Sequence, residues 1–203
     1  MPTQVVIVDY GLGNLTSVKN ALLMVGVEAL ITRDPTDISD ASHLILPGVG
    51  SFGQGMRGLK ERGLVEVLQK EVLENHKKIL GICLGMQLLA TKGFEFGENE
   101  GLGFLSGEVV KINTAERLPH MGWNNVSLVG EHRITEGLET NPQFYFVHSF
   151  HFKPEDRSIV AGVAEYGEPI VSIIEKGNIF GTQFHPEKSH DAGLKILKNF
   201  LNL

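Results

Sequence analysis

The chain has 203 residues, 42% of them apolar and 21% charged, which suits one globular domain over residues 1–203 with a sizeable core. A net charge of −6 argues against a general nucleic-acid or anionic-membrane binder, and one cysteine leaves no internal disulfide, as suits a reducing cytoplasm. No apolar run reaches membrane-spanning length, and Met1-Pro2-Thr3-Gln4 lacks the basic start of a signal peptide.

Gln4 to Asp9 reads as a short strand that enters the glycine-rich turn Asp9-Tyr10-Gly11-Leu12-Gly13-Asn14. A helix follows, with Leu15, Val18, Leu22 and Val25 on one face and Gly26 as its stop. Glu28–Thr32 and His43–Leu46 read as the second and third strands. Gln54 to His76 reads as one long helix burying Met56, Leu59, Val65, Leu68 and Val72, and Lys78–Cys83 as a fourth strand. Leu84 to Thr91 reads as another helix. This alternation predicts an α/β fold, a three-layer sandwich whose central sheet is mostly parallel, with ligands gathering beyond the carboxyl ends of the strands. The second half predicts added β-strands: Gly103–Ile112, Asn125–Val129, Gln143–His148, Ser158–Tyr166, Ile170–Glu175 and Ile179–Phe184. A last helix, Ala192–Leu201, carries Leu194, Leu197, Phe200 and Leu201 on its core face.

The chemistry centres on Gly81-Ile82-Cys83-Leu84-Gly85, where the only cysteine stands between a strand and a helix. This is the G-x-C-x-G form of a nucleophile elbow, a tight turn that lifts a side chain above the sheet. The helix start behind the sulfur favours its charged form. A free thiol, with an ordinary pKa of about 8.5, is only a few per cent ionised at neutral pH, so a base is expected nearby. His185-Pro186-Glu187 offers one: in extended backbone, residues two apart point the same way, so Glu187 can orient His185. Pro47-Gly48-Val49-Gly50, at the end of the third strand, leaves backbone N–H groups free to hold an oxyanion. Gly11-Leu12-Gly13 lacks the third glycine of a dinucleotide fingerprint, since Thr16 stands there, and no cofactor is expected. The histidines His120, His148, His151, His185 and His190 show no metal-binding spacing, and no metal is expected.

With these residues in hand the chain resembles the class I (triad) glutamine amidotransferases, and within them the glutaminase subunits of imidazole glycerol phosphate synthases. The likeness rests on Asp9–Asn14, Leu46–Gly50, Gly81–Gln87, Pro119-His120-Met121-Gly122-Trp123-Asn124, Tyr145–Ser149 and Gln183–Ser189. The resemblance implies that Cys83 attacks the side-chain amide of glutamine, that His185 shuttles the proton and that Glu187 orients His185. It implies an oxyanion hole from Leu84 N–H and from Gly48, Val49 and Gly50. It implies glutamine contacts from Gln87, Glu95, His148 and Ser149. It also implies a (βα)8-barrel cyclase partner in a heterodimer, fed with ammonia and contacted by Asn14, Trp123, Tyr145 and Lys188. Against these roles stand plainer ones: Trp123 as a core aromatic and Lys188 as a solvated charge. One departure is Phe150-His151, where the family commonly has tyrosine after Val-His-Ser, so a phenol is lost at 150.

Three rival readings stay open. The first is a paralogous glutaminase that feeds a sugar-modifying amidotransferase of surface-polysaccharide synthesis, towards which Ala90-Thr91-Lys92-Gly93 points. The second is a standalone cysteine hydrolase. The third is a non-catalytic binding subunit, against which the intact Cys83, His185 and Glu187 argue.

Overall fold

The computed structural model describes residues 4–203; Met1-Pro2-Thr3, read above for a missing signal-peptide start, lies outside them. In the first half, β1 (Val5–Val8), α1 (Leu15–Met24), β2 (Leu30–Thr32), α2 (Pro35–Asp40), β3 (His43–Gly48), α3 (Phe52–Glu61), α4 (Leu64–Gln69), β4 (Lys78–Cys83) and α5 (Leu84–Leu88) alternate as expected. The second half runs through β5 (Ala90–Gly93), β6 (Asn99–Glu100), β7 (Leu105–Lys111), β8 (His120–Asn125), β9 (Ser127–Leu128) and β10 (Gln143–His148). It continues with β11 (Phe150–Pro154), β12 (Val160–Glu165), β13 (Pro169–Lys176), β14 (Ile179–Thr182) and α6 (His190–Leu201).

The main sheet has the order β2-β1-β3-β4-β14-β13-β12-β9. Its pairings are parallel from β2 to β14 and antiparallel beyond. Helices cover both faces, which is why the parallel strands are apolar on both sides. In β1, Val6 and Val8 join one core cluster while Val5 and Ile7 join the other. Alternating side chains of one strand thus serve two layers. Leu59, Leu64 and Leu68 from α3 and α4 fill the first cluster; Val18 and Leu22 from α1 and Leu197 and Phe200 from α6 fill the second. The remaining strands form a β10-β8 pair and a four-stranded β11-β7-β5-β6 sheet.

Several elements differ from expectation. The long helix over Gln54–His76 is broken: Gly63 sits at φ +64, separating α3 from α4, and a π-turn at Lys70–Glu74 ends the segment. The break rotates the second piece so that Leu64 is fully buried and Val65 only partly. The elbow helix stops at Leu88 instead of Thr91, because Ala90–Gly93 leaves to pair with β7 and β6. The strand expected over Asn125–Val129 divides into β8, which begins at His120, and the short β9. Sequence reading missed α2 and β11. In β11, Phe150, Phe152 and Pro154 share one face and the polar His151 and Lys153 the other, but the run is only five residues long and ends in proline.

Candidate active site

Cys83 ends β4 and opens α5 with φ +54 and ψ −109, a strained backbone for a residue with a side chain. The glycines around it make this turn possible. A Cβ on Gly81 would lie 2.7 Å from Met86 backbone atoms, and Gly85 packs directly on the Leu46 carbonyl. The strand β3 lies beside β4 in parallel register, with Gly48 opposite Cys83. On the other side of β4 lies β14, whose continuation carries His185. Cys83, the Gly48–Gly50 loop and His185 therefore leave three adjacent strands at their carboxyl ends.

His185 Nδ1 and Glu187 Oε1 are 2.8 Å apart, with side chains only 4% and 2% exposed. The pairing forms differently from the sequence argument: Pro186–Lys188 is a 3-10 turn, so the turn, not an extended strand, brings Glu187 back to His185. Burial works to lower the His185 pKa, but interaction with Cys83 and the hydrogen bond to Glu187 outweigh it and raise it from 6.5 to about 10. His185 Nε2 is buried and finds no hydrogen-bond partner among the described residues. With Nδ1 committed to Glu187, Nε2 is the nitrogen free for proton transfer.

A cavity of about 320 Å³ opens over Cys83 and is lined by Val49, Gly50, Leu84, Gln87, Glu95 and the Val147–Phe150 segment, with Pro119 at its side. Of the expected site residues, Gly48 alone of the oxyanion loop does not line it; it is packed beneath, against the Tyr10 hydroxyl and Leu84. Glu95 does line it, yet its Oε2 also accepts a hydrogen bond from Phe52 N at 2.9 Å, so the carboxylate caps the start of α3. His148 and Ser149 line the wall, but both nitrogens of His148 are engaged within the protein, with Phe150 O at 2.9 Å and His120 Nδ1 at 3.0 Å. Burial, chiefly, lowers the pKa of His148 to about 3 and of His120 to about 4, so both are neutral at physiological pH.

Trp123 is not a core aromatic. It is 46% exposed, stacks flat on His190 at 4.8 Å and meets Tyr145 edge-on. Lys188 Nζ sits 5.7 Å from the Tyr145 ring centre, so Trp123, Tyr145 and Lys188 share one surface. Exposed Met121 adjoins Trp123 along β8. Asn14 acts locally as the cap of α1, accepting from Ser17 N at 3.2 Å. At Phe150 it is the backbone carbonyl that bonds, accepting from Gln87 and His148.

Two residues that touch the sulfur went unread: Val147, whose carbonyl is 3.9 Å from Sγ, and Gln183, whose Nε2 is 3.8 Å away. Gln183 stands two residues before His185, the spacing that sends both to one side of an extended segment, and that was the available signal. Among the described residues, no cluster of His, Cys, Asp and Glu could hold a metal ion, and no helix is long and apolar enough to cross a membrane.

The arrangement of a buried thiol, an oriented imidazole and a glycine-rich loop is the chemistry of acyl transfer through a thioester. The chain is 46% identical to the imidazole glycerol phosphate synthase subunit HisH 1 of Campylobacter jejuni (strain RM1221), over 98% of this chain and 100% of that protein. It is 48% identical to the HisH subunit of Aquifex aeolicus, over 96% of this chain and 94% of that protein. A solved glutamine amidotransferase superposes with a TM-score of 0.77 at 24% identity, covering 98% of this chain and 99% of that one. PurLQS from Thermotoga maritima gives the same TM-score at 22% identity, covering 100% and 99%; these two likenesses speak for the fold alone. The family described as glutamine amidotransferase class-I matches residues 6–203, and the chain belongs to that family.

Proposed function

We infer that this chain is the glutaminase subunit of an imidazole glycerol phosphate synthase of histidine biosynthesis. The observation that carries the chemistry is the buried His185, tied to Glu187 on Nδ1 and free on Nε2 beside Cys83. The near full-length identity to HisH subunits supports this subunit over other amidotransferases. Their naming as subunits supports a partner, which we take to be a (βα)8-barrel cyclase in a heterodimer. The lone cysteine, kept as a thiol, suits the cytoplasm.

In the proposed reaction His185 Nε2, whose raised pKa favours the proton, takes it from the thiol, and Cys83 Sγ then attacks the carboxamide carbon of glutamine. The negative charge that gathers on the carboxamide oxygen is held by Leu84 N–H and by an N–H of the Gly48–Gly50 loop. Collapse of this intermediate breaks the C–N bond, His185 returns the proton to the departing nitrogen, and ammonia leaves for the partner. Water, deprotonated by His185, then attacks the thioester and releases glutamate. Glu187 holds the imidazole in the needed tautomer and stabilises its charged form. Gln87 and Glu95, on the cavity wall, contact the glutamine together with His148 and Ser149. Trp123, Tyr145 and Lys188 with the Asn14 turn meet the partner.

The oxyanion loop also makes the subunit dependent on its partner. Val49 lies between Gly48 and Gly50, the latter at φ +101, so its peptide can rotate between presenting an N–H and presenting a carbonyl. A missing oxyanion donor costs ~10²–10³ in rate. Glutamate release should therefore be slow for the chain alone and rise by that order when the cyclase and its nucleotide ligand are present. A full rate from the isolated chain would instead favour a standalone hydrolase. Co-purification of a sugar-modifying enzyme in place of the cyclase would identify the polysaccharide paralogue.

A further inference from the structure

The steps above make no use of Gln183, which belongs to a chain of polar side chains behind the cavity. Its hub is the Phe150 carbonyl, which accepts from Gln87 Nε2 at 2.8 Å and from His148 Nδ1 at 2.9 Å. A carbonyl only accepts, so the Gln87 atom facing it must be the amide nitrogen. The second proton of that nitrogen goes to Gln183 at 3.0 Å, which fixes the receiving atom as Gln183 Oε1. Gln183 Nε2 is thereby turned to Cys83 Sγ, 3.8 Å away.

The same logic runs outward from the hub. His148 carries its proton on Nδ1 and accepts on Nε2 from His120 Nδ1 at 3.0 Å. His120 Nε2 then accepts from Asn124 Nδ2 at 3.1 Å, and the other Asn124 proton goes to Glu165 O at 2.9 Å. Every donor and acceptor along this path has one role. A fully satisfied buried network of this kind holds its members in one arrangement.

We propose that Gln183 is a positioning residue of the glutaminase reaction, which donates its amide N–H to Cys83 Sγ and, by anchoring Gln87, turns an accepting oxygen of Gln87 into the cavity. The inference rests on the glutaminase reading above. Gln183 is fully buried and has its oxygen committed, so its nitrogen has the sulfur as its remaining partner. A thiolate accepts a hydrogen bond more strongly than a thiol, so the 3.8 Å contact tightens as the attacking form develops. Gln87 lines the cavity with both amide protons spent inside the protein. It can only accept there, which suits the N–H groups of a bound amino-acid amide and repels a carboxylate.

The test is steady-state kinetics on the complex with its partner and nucleotide ligand. Gln183→Glu keeps an acceptor for Gln87 and loses the donor to sulfur; kcat should fall at least ~10-fold, the worth of a hydrogen bond to a charged group, while KM stays near wild type. Gln183→Met fills similar volume without either bond, so kcat should fall and KM should also rise by ~10-fold. Wild-type kinetics in the methionine variant would mean that Gln183 only fills space, and wild-type kcat in the glutamate variant would overturn the donor role. Should either variant fail to fold, side-chain amide exchange in the wild type decides: protection of the Gln183 amide supports the proposal, and exchange as fast as in an exposed glutamine overturns it. Wild-type turnover that is lost in Cys83→Ala keeps the glutaminase reading even if the Gln183 proposal falls; no wild-type turnover removes both.

Discussion

The two walls of the cavity are built by different rules. The Cys83 wall is local: a buried apolar strand, a glycine, Cys83, a second glycine and a helix follow one another within eleven residues of sequence, from Lys78 to Leu88. The other side, where Val147–Phe150 lines the cavity and polar residues behind it hold the site together, is assembled from a distance. His185 N bonds to Tyr145 O, Gln87 reaches Phe150 across 63 positions, and His120 meets His148 across 28. The first wall is fixed by backbone sterics, and the second by the pairing of polar atoms that each need a specific partner. Damage to the first should therefore be abrupt and insensitive to pH. Damage to the second should be graded, and much of it should depend on proton uptake.

The largest effect tests whether the local wall carries the chemistry. Cys83→Ala should abolish glutamine-dependent turnover, a loss of at least ~10⁴, while synthase activity with ammonium salts survives in the complex. Loss of both activities would mean that Cys83 serves the fold. On the other wall, His185→Ala should cost a similar factor and Glu187→Gln less, since glutamine leaves the base in place and removes only its charged support. Wild-type rates in Glu187→Gln would show that the 2.8 Å contact is structural.

Stability separates the walls next. Gly81→Ala puts a methyl group 2.7 Å from the Met86 backbone, where nothing flexible can yield, and should cost at least ~3 kcal/mol in denaturant unfolding at any pH. A cost below ~1 kcal/mol would mean that the elbow is looser than its geometry.

The smallest effect belongs to the distant wall. His120 and His148 have folded pKa values lowered to about 4 and about 3, so in the unfolded chain they bind protons at higher pH than in the folded one. The stability they contribute is complete above pH 6.5, their ordinary value, and is lost as pH falls through this window towards 4. His120→Phe removes one of these sites and should flatten that acid slope, read as denaturation midpoint against pH. An unchanged slope would mean that other groups drive acid unfolding.

The same division explains what could be read from sequence. The parallel half was legible because Val5–Val8, His43–Gly48 and Lys78–Cys83 are continuous apolar runs ended by glycine turns, and their burial is what their composition says. Even there Gly63 hid a break, because one glycine within an apolar period of helical spacing looks tolerable until the flanking pieces find separate packing. In the second half the start of β8 escaped notice: His120-Met121-Gly122-Trp123-Asn124 mixes polar residues and a glycine with two apolar ones and carries no apolar signature. Cys83, His185 and Glu187 were legible as residue types at telling positions. Gln183 offered only its spacing of two residues from His185, too weak a mark until its bonds to Gln87 and Cys83 are drawn.

The position of β14 has a consequence for synthesis of the chain. It lies between β4 and β13 in the sheet, yet it follows β4 by nearly a hundred residues of sequence. A growing chain on the ribosome has Cys83 exposed at the open side of β4 well before the strand that closes that side has emerged. Until Ile179–Thr182 docks against Ile79–Ile82, Cys83 has no strand on that flank and His185 is not yet beside it. On the proposed mechanism the nascent protein therefore turns over no glutamine, and Cys83 becomes competent only once the last strand has been inserted and α6 can fold over it.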